Sequence, residues 1–320
     1  KFKDKSALEV ILTTLHSGGK FSNKVYHTAG GLHGVGISVV NALSDRMIVE
    51  VAREKELWRQ EFSRGTPQTP LEKIGAAPNR RGTSVQFHPD PEIFEAGTAL
   101  RPARLYKLVR SKAYLFRGVE IRWKCDEELI KDDTPAEATL HFPGGLRDFL
   151  DASLDGVKAV TQEPFAGRVE LDNDRGRVEW AIAWPLTNMS FLNSYCNTVP
   201  TPEGGTHELG FRGALLRGLK AYGELINNKK AAQVTAEDIL SGASAVLSVF
   251  IPDPQFQGQT KEKLTTTEAS RLVDLAIKDH FDNWLAAAPD QANNLLAWVI
   301  EKSEERLRRR QEKETSRKTA

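Results

Sequence analysis

The sequence contains few of the features that mark disulfide-linked, metal-built or membrane proteins. Among 320 residues only two are cysteines, Cys125 and Cys196, too few for a disulfide scaffold or a cysteine-built zinc site. No apolar run approaches the roughly 18 residues that a membrane span needs, and no signal-peptide pattern opens the chain. The 44 basic and 43 acidic side chains nearly balance, which excludes a uniformly basic nucleic-acid-coating protein. We therefore expect a soluble, cytoplasmic protein without membrane contact.

The apolar content is sufficient for two folded domains. Hydrophobic residues make up 40% of the chain, and a typical domain has about 150 residues. Pro143-Gly144-Gly145 is the best candidate for a boundary. We expect one domain over residues 1–143, a second over 144–300, and a charged helix end or linker over 301–320.

Hydrophobic periodicity predicts both helices and strands, and hence an α+β fold class. Ser6 and Glu9 have the spacing of a capping box before a helical pattern. Alternating patterns predict an antiparallel sheet with helices on one side in the first half, and a separate α+β domain in the second. The predicted strands cover 47–52, 58–62, 83–87, 119–123, 194–199 and 244–251, with a hairpin over 169–186; the predicted helices cover 8–15, 37–43, 105–115, 146–154, 207–225, 265–286 and 290–310.

A glycine-rich segment, Gly30-Gly31-Leu32-His33-Gly34-Val35-Gly36, runs directly into a predicted helix. Glycines let backbone N–H groups approach an anion closely, and the start of a helix adds unpaired donors, so the segment could cradle a phosphate. It lacks the Lys-Ser/Thr pair of a Walker loop and the spacing and preceding strand of a Rossmann fingerprint. A linker rich in glycine remains the alternative.

A second candidate is the loop Gln255-Phe256-Gln257-Gly258-Gln259-Thr260-Lys261. Its lysine could complete a phosphate site as a point charge, although a solvated loop lysine is the alternative interpretation. The histidines show no metal-ligand spacing, so no metal site is predicted in this chain. Trp58, Trp123, Trp180 and Trp184 lie in alternating strands, where packing is favoured over base stacking.

Taken together, these motifs resemble the B subunits of bacterial type II topoisomerases. The similarity lies in Lys20–Lys24 and Gly30–Leu43, which look like the ATP lid of that family, and in Gly82-Thr83-Ser84-Val85, which resembles the strand at the floor of its nucleotide pocket. Asn197-Thr198 through Gly204-Gly205-Thr206-His207, and Asp253 through Lys261, match its transducer domain. The Lys-Phe-Ser-Asn-Lys sequence of the lid favours the topoisomerase IV branch over the gyrase branch.

The resemblance implies a fold and a set of ATP contacts. The fold would be an ATPase domain of the gyrase, heat-shock-chaperone, histidine-kinase and MutL (GHKL) superfamily, an α/β sandwich, followed by a transducer domain with a ribosomal-protein-like fold. Gln259 and Lys261 would reach the γ-phosphate and sense hydrolysis, and Thr83 would help to hold the carboxylate that recognises adenine. The other ATP-binding positions implied are Lys20, Gly30, Gly31, Leu32, His33, Gly34, Val35 and Gly36.

The chain departs from the family pattern before the lid. The family's general-base Glu, its Mg²⁺-binding Asn and its adenine-binding Asp-x-Gly-x-Gly motif precede the lid, whereas the 19 residues before Lys20 contain none of them. We therefore expect the ATPase domain to be incomplete at its N-terminus, with the Mg²⁺ ligand upstream of Lys1. The chain by itself is then expected not to hydrolyse ATP appreciably. His27 replaces a lysine common in gyrase-like lids and is assigned no phosphate role.

The resemblance also implies partners. ATP binding and hydrolysis would be coupled to DNA strand passage, which relaxes or decatenates duplex DNA. Two copies would form a homodimer when ATP binds, and the topoisomerase A subunit would be the partner. The protein would be located at the bacterial nucleoid. The A subunit would bind through a C-terminal region outside this chain. Alternatives are a gyrase B subunit that supercoils DNA, and a non-catalytic dimerisation or scaffold module. A MutL-like repair ATPase is a third alternative, which the sequence of Asp253–Lys261 disfavours.

Overall fold

The computed structural model describes residues 4–17, 34–95, 100–171 and 176–319, with side chains to residue 312. Contacts divide the chain into two compact units, residues 1–100 and 101–320. The elements of the first unit are α1 (Ala7–Thr13), α2 (Gly36–Ala42), β1 (Ser44–Arg53), β2 (Glu56–Ser63), β3 (Thr66–Pro67), β4 (Glu72–Ala76) and β5 (Gly82–Pro89).

Over its described residues, the first unit is an antiparallel sheet covered by two short helices. The strand order is β3-β2-β1-β5, and β4 also pairs with β2. Met47, Val49 and Phe62 point from the sheet toward the helices and pack around Leu12, because every second residue of a strand faces the same side. The predicted cap of α1 is present, since Ser6 Oγ accepts the N–H of Glu9 at 3.1 Å.

The β1–β2 hairpin confirms the predicted strands over 47–52 and 58–62 and extends both. Glu54 and Lys55 form its turn with φ of +55° and +67°, the left-handed conformation that a two-residue hairpin turn of type I′ requires. On the other side of β1, β5 is an edge strand in the described part of the sheet. Val85 and Phe87 on β5 are each 43% exposed.

The second unit is a larger α+β structure. Its two 3₁₀ helices cover Glu127–Leu129 and Lys229–Gln233. Its other elements are α3 (Pro102–Leu115), β6 (Glu120–Lys124), β7 (Glu137–His141), α4 (Leu146–Ser153), β8 (Phe165–Leu171), β9 (Gly176–Ala183), β10 (Phe191–Cys196), β11 (Val199–Pro200), α5 (Thr206–Leu225), α6 (Ala236–Leu240), β12 (Ser244–Phe250), β13 (Phe256–Gln257), β14 (Lys263–Leu264), α7 (Thr267–Ala287) and α8 (Pro289–Thr319).

The five-stranded sheet of this unit separates two hydrophobic cores. Its order is β11-β10-β12-β9-β8, with β10 and β12 parallel and joined through α5 and α6. Leu247 on β12 belongs to the core beneath α5 and α7, which includes Phe211 and Phe281. Val246, one residue earlier, belongs to the core on the opposite face with α3 and α4. Because both faces are covered, all seven residues of β12 are buried.

Polar contacts hold α3 in the second unit. The Tyr114 and Tyr195 hydroxyls lie 2.5 Å apart, and Arg117 Nη2 lies 2.8 Å from the buried carboxylate of Glu179. The division after residue 100 therefore differs from the sequence boundary at residue 143, which stays a prediction.

The C-terminal helix α8 extends to Thr319, beyond the predicted helix over 290–310. Its first part is buried through residues such as Leu295 and Val299, and the described part ends in exposed charged residues. None of the described helices combines the length and apolar character that crossing a membrane requires.

Candidate functional site

The predicted nucleotide lid lies only partly within the described residues. Lys20, Gly30, Gly31, Leu32 and His33 fall outside them, as does His27. The described end of the lid begins at Gly34, where the backbone conformation favours glycine.

Gly34 has φ of +59°, a left-handed conformation that glycine adopts without a Cβ penalty. Val35 then takes the N-cap position, and Gly36 is the first residue of α2. Apart from its chain neighbours and its own helix, no heavy atom of the described residues lies within 4 Å of where a Cβ on Gly36 would stand, and Gly36 is exposed.

Thr83 is the second residue of β5, opposite Val51 of β1. Residues directly opposite in an antiparallel pair point to the same face, so Thr83 shares the face of Val49, Val51 and Val85. Thr83 itself is exposed.

A pocket of about 180 Å³ on the same unit is lined almost entirely by apolar side chains: Val40, Leu43, Ser44, Phe87, Pro89, Phe94 and Leu100. Thr83 is not among the residues that line it.

Gln259 and Lys261 lie at the tip of a small hairpin rather than in a plain loop. We call residues 255–265 the Lys261 hairpin. Its strands β13 and β14 pair Phe256 with Leu264 and Gln257 with Lys263. The Thr265 N–H donates to Gln255 O at 2.8 Å and closes the base. Two-residue strands have too little length for a hydrophobic period to appear, which is why the sequence pattern indicated only a loop.

Lys261 presents its ammonium group beside an aromatic ring. Its Nζ lies 6.0 Å from the centroid of Phe256, near the limit for a cation–π contact. Its backbone is left-handed, with φ of +58°, and its side chain is half-buried, whereas Gln259 is exposed. Within the described ranges no carboxylate forms a salt bridge with Lys261, so its charge is available to an anion.

A buried polar network behind this hairpin was not among the predicted site residues. The Thr201 hydroxyl lies 3.0 Å from His207 Nε2 and 2.7 Å from Ser194 Oγ, and Ser194 Oγ donates to Glu208 at 2.7 Å. Burial lowers the pKa of His207 to about 4, so the imidazole is neutral near pH 7. The signal in the sequence was Gly204-Gly205 directly before a helix, which indicates a tightly packed turn.

The predicted site residues therefore fall into two groups. Gly34, Val35, Gly36 and Thr83 belong to the first unit, on the start of α2 and on β5. Gln259 and Lys261 belong to the second, on one hairpin. Over the described residues, no group of three or more His, Cys, Asp or Glu side chains could hold a metal ion.

Comparison with known proteins identifies the family. The model of the DNA gyrase B family matches residues 145–315, more than half of the chain. The chain belongs to the DNA gyrase B family. Within this family its similarity is greater to topoisomerase IV than to gyrase sequences. It is 59% identical to the DNA topoisomerase 4 B subunit of Bartonella bacilliformis over 99% of this chain, and 56% identical to that of Caulobacter vibrioides over 100%. Identity to the DNA gyrase B subunit of Chlamydia pneumoniae is 37% over 93% of this chain.

Solved structures of the family have the same fold. The 43K ATPase domain of Thermus thermophilus gyrase B, determined with an aminocoumarin, is 32% identical with a TM-score of 0.74, covering 97% of this chain and 78% of that one. The topoisomerase IV ATP-binding domain of Francisella tularensis, determined with a small-molecule inhibitor, is also 32% identical with a TM-score of 0.69, covering 94% and 78%. The predicted fold class of a GHKL-type domain followed by an α+β transducer is confirmed.

The chain spans less than half of its curated relatives. It covers 46% of the length of the Bartonella and Caulobacter proteins and 37% of the Chlamydia gyrase protein.

Proposed function

We propose that this chain is the nucleotide-binding and transducer region of a topoisomerase IV B subunit, in which ATP binding and hydrolysis drive DNA strand passage. The observation that carries the proposal is Lys261, a half-buried cation at the tip of a braced hairpin without a carboxylate partner among the described residues. A cation held in this way suits a phosphate group, because the ammonium gains a strong charge-assisted hydrogen bond that no neighbouring acid already satisfies.

In this proposal the lid and the hairpin bind one triphosphate. The backbone of residues 30–36 and the Lys20 side chain would hold the phosphates, and Thr83 would support adenine recognition. Gln259 and Lys261 would contact the third phosphate. Since ADP lacks that phosphate, the hairpin would distinguish the nucleotide before hydrolysis from the nucleotide after it.

Mg²⁺ is part of the proposal only as an expectation. Over the described residues no group of three or more His, Cys, Asp or Glu side chains could hold a metal ion. The family resemblance implies that Mg²⁺ accompanies the bound nucleotide.

The partners follow from the same proposal. We propose that two copies associate when ATP binds, that a topoisomerase A subunit supplies DNA cleavage, and that duplex DNA is the substrate, in the cytoplasm at the nucleoid. High identity to two topoisomerase 4 proteins, against 37% to a gyrase protein, supports decatenation and relaxation over supercoiling.

The central test is the substitution Lys261→Ala in the product of the intact gene. Loss of a charged hydrogen bond of about 1.5–3 kcal/mol predicts about 10- to 100-fold weaker binding of a non-hydrolysable ATP analogue, with ADP binding unchanged. ATP-dependent decatenation should fall with it. The measurements are calorimetric titration with each nucleotide and a decatenation assay with the A subunit added.

Lys263→Ala is the matched control, since Lys263 is an exposed lysine on β14 of the same hairpin. It should leave both affinities unchanged. Equal losses in the two variants would indicate a general effect of hairpin charge and would contradict the specific contact. Failure of the unsubstituted gene product to bind either nucleotide would contradict the proposal and favour a scaffold module.

A further inference from the structure

The Lys261 hairpin is held from outside by a short turn that has no assigned role. We call Glu203–Thr206 the glycine turn. The Glu203 N–H donates to Glu262 O at 3.0 Å, and the Leu264 N–H donates to Gly204 O at 3.0 Å. Gly205 and Leu264 form a parallel bridge. The turn therefore pairs with the chain from Glu262 to Leu264, starting one residue after Lys261 and continuing along β14.

A side-chain contact extends this attachment beyond the hairpin. The Thr206 hydroxyl donates to Thr266 O at 2.6 Å, just before α7 begins at Thr267. Thr206 is also the first residue of α5. The start of α5 is thereby tied to the end of the Lys261 hairpin.

Gly205 is in backbone contact that leaves no space for a side chain. A Cβ built on Gly205 would stand 2.3 Å from Leu264 O and 2.7 Å from Leu264 N. Its φ of +143° is also a conformation that residues with a side chain rarely adopt. Any substitution must therefore displace either the turn or β14.

The turn itself is fixed to the protein interior by hydrogen bonds, whereas β14 is held by a two-residue ladder and by the burial of Leu264, so β14 is the part expected to move. The Thr201 N–H donates to Ser194 O at 2.9 Å, and the Gly204 N–H donates to Thr201 O at 2.8 Å. The Thr201 hydroxyl contacts His207 Nε2 at 3.0 Å, and both side chains are at most 2% exposed. These bonds tie the turn to β10 and to α5.

The hairpin is otherwise restrained by its short ladder, by the bonds at its base and by the packing of Leu264 and Phe256 against the core of the second unit. Its own ladder consists of two residue pairs, and its base is closed by the Thr265–Gln255 bond and by the Gln255 N–H donating to Thr266 Oγ1 at 2.8 Å. From Gln257 to Lys263 every residue is exposed except the half-buried Lys261. Leu264, the residue beside Gly205, is buried at 1% exposure.

We propose that Gly205 is a positioning residue for Lys261: through its backbone contact with Leu264, the glycine turn sets where the lysine ammonium stands relative to the start of α5. The proposal rests on the proposed function, in which Lys261 binds the third phosphate of ATP. A displaced β14 then weakens binding of the triphosphate and leaves ADP binding unchanged. A shift at the start of α5 would likewise reach the lysine through the backbone bonds between the glycine turn and β14.

The test compares Gly205→Ala with Gly156→Ala. Gly156 also has a left-handed φ, +72°, but a Cβ there has no neighbour within 4 Å in the part of the chain that the structure describes, so this control imposes backbone strain without a clash. In the 320-residue chain, hydrogen exchange of peptides covering 255–266 should become at least about tenfold faster in Gly205→Ala and stay unchanged in Gly156→Ala. Thr206→Val, which removes only the hydroxyl bond to Thr266, should give a smaller change in the same direction and serves if Gly205→Ala does not fold.

The second readout is the ratio of affinities for a non-hydrolysable ATP analogue and for ADP in the product of the intact gene. Gly205→Ala should lower this ratio by about tenfold or more, as Lys261→Ala does. Unchanged exchange in both Gly205→Ala and Thr206→Val would overturn the positioning role. Faster exchange in Gly205→Ala with an unchanged ratio of affinities would also overturn the positioning role, provided that Lys261→Ala lowers that ratio. If Lys261→Ala itself leaves the ratio unchanged, the proposed function fails, and the exchange data separately decide whether the turn braces the hairpin.

Discussion

At the scale of single residues, His207 stabilises the structure only while it is neutral. It is fully buried, and Nδ1 has no hydrogen-bond partner among the described residues. A protonated imidazole would carry N–H donors on both nitrogens and a charge removed from water, both of which cost free energy. For this reason burial lowers the pKa of His207 from 6.5 to about 4.

This shift predicts a loss of stability on acidification. Below pH 6.5 the unfolded chain takes up a proton at this position that the folded chain takes up only near pH 4, so the free energy of unfolding falls as the pH decreases through that window. Between pH 7 and pH 5 this group alone accounts for about 2 kcal/mol. His207→Gln should remove that part of the pH dependence in urea unfolding of the second unit.

The comparison for His207 is an exposed histidine of the same unit. His141 lies on β7 and is exposed, so His141→Gln should keep the pH dependence of the unsubstituted chain. Parallel pH profiles for His207→Gln and the unsubstituted chain would mean that other groups cause the acid sensitivity.

At the scale of elements, the turn at Asn197 and Thr198 is stabilised by the Lys112 side chain on α3. The predicted strand over 194–199 ends at Cys196, because Asn197 and Thr198 both have positive φ, +48° and +65°. Thr198 is β-branched and disfavours this conformation. Lys112 on α3 donates from Nζ to Thr198 O at 2.6 Å and to its hydroxyl at 2.9 Å, which stabilises the turn.

Lys112→Met is therefore expected to destabilise the second unit by about 1–3 kcal/mol, the cost of leaving a buried carbonyl without its donor. Burial also lowers the pKa of Lys112, as expected for an ammonium group removed from water. Lys107→Met is the control, because Lys107 is an exposed lysine of the same helix; it should change the free energy of unfolding by less than about 0.5 kcal/mol. Equal effects of the two substitutions in urea unfolding would contradict the role of the Thr198 contact.

Elements with a long period were predictable from the sequence, and short ones were not. The capping box before α1 and the alternation in β1 and β2 each gave the correct element, because burial on one face imposes a repeat over several residues. β7, α6 and the two-residue strands β13 and β14 were missed. The pairing of β13 with β14 depends on tertiary contacts, such as the glycine turn beside Leu264, that no local pattern encodes.

The candidate site likewise contains residues that the sequence predicted and residues that it could not predict. The positions of Gln259 and Lys261 came from motif resemblance, and both lie at the hairpin tip. The network of Ser194, Thr201 and His207 behind the tip could not be predicted, because its members are brought together by the pairing of β10 and β11 and by the start of α5.

At the scale of the whole molecule, the two units have unequal cores. Among the described residues, the first unit has a cluster formed by Leu12, Met47, Val49 and Phe62, and β5, at the edge of the described sheet, has nearly half of the Val85 and Phe87 side chains exposed. The second unit has extensive cores on both faces of its sheet. In β9 every residue from Val178 to Ala183 is buried. Burial of apolar surface is the main source of stability, so the two units should differ in how readily they open.

Native-state hydrogen exchange measures this difference directly in the 320-residue chain. Amides of β1 and β5 should have protection factors at least about a hundredfold lower than those of β9 and β12, because opening the small core exposes little apolar surface. Rates recorded at two pH values should scale with base catalysis, which establishes that they report equilibrium opening. Similar protection in β5 and β9 would show that the first unit is stabilised by more than the core described here. Greater protection of β5 on adding a non-hydrolysable ATP analogue to the intact gene product, without a change in β9, would in turn place the nucleotide on the first unit, as binding to a folded state suppresses its opening.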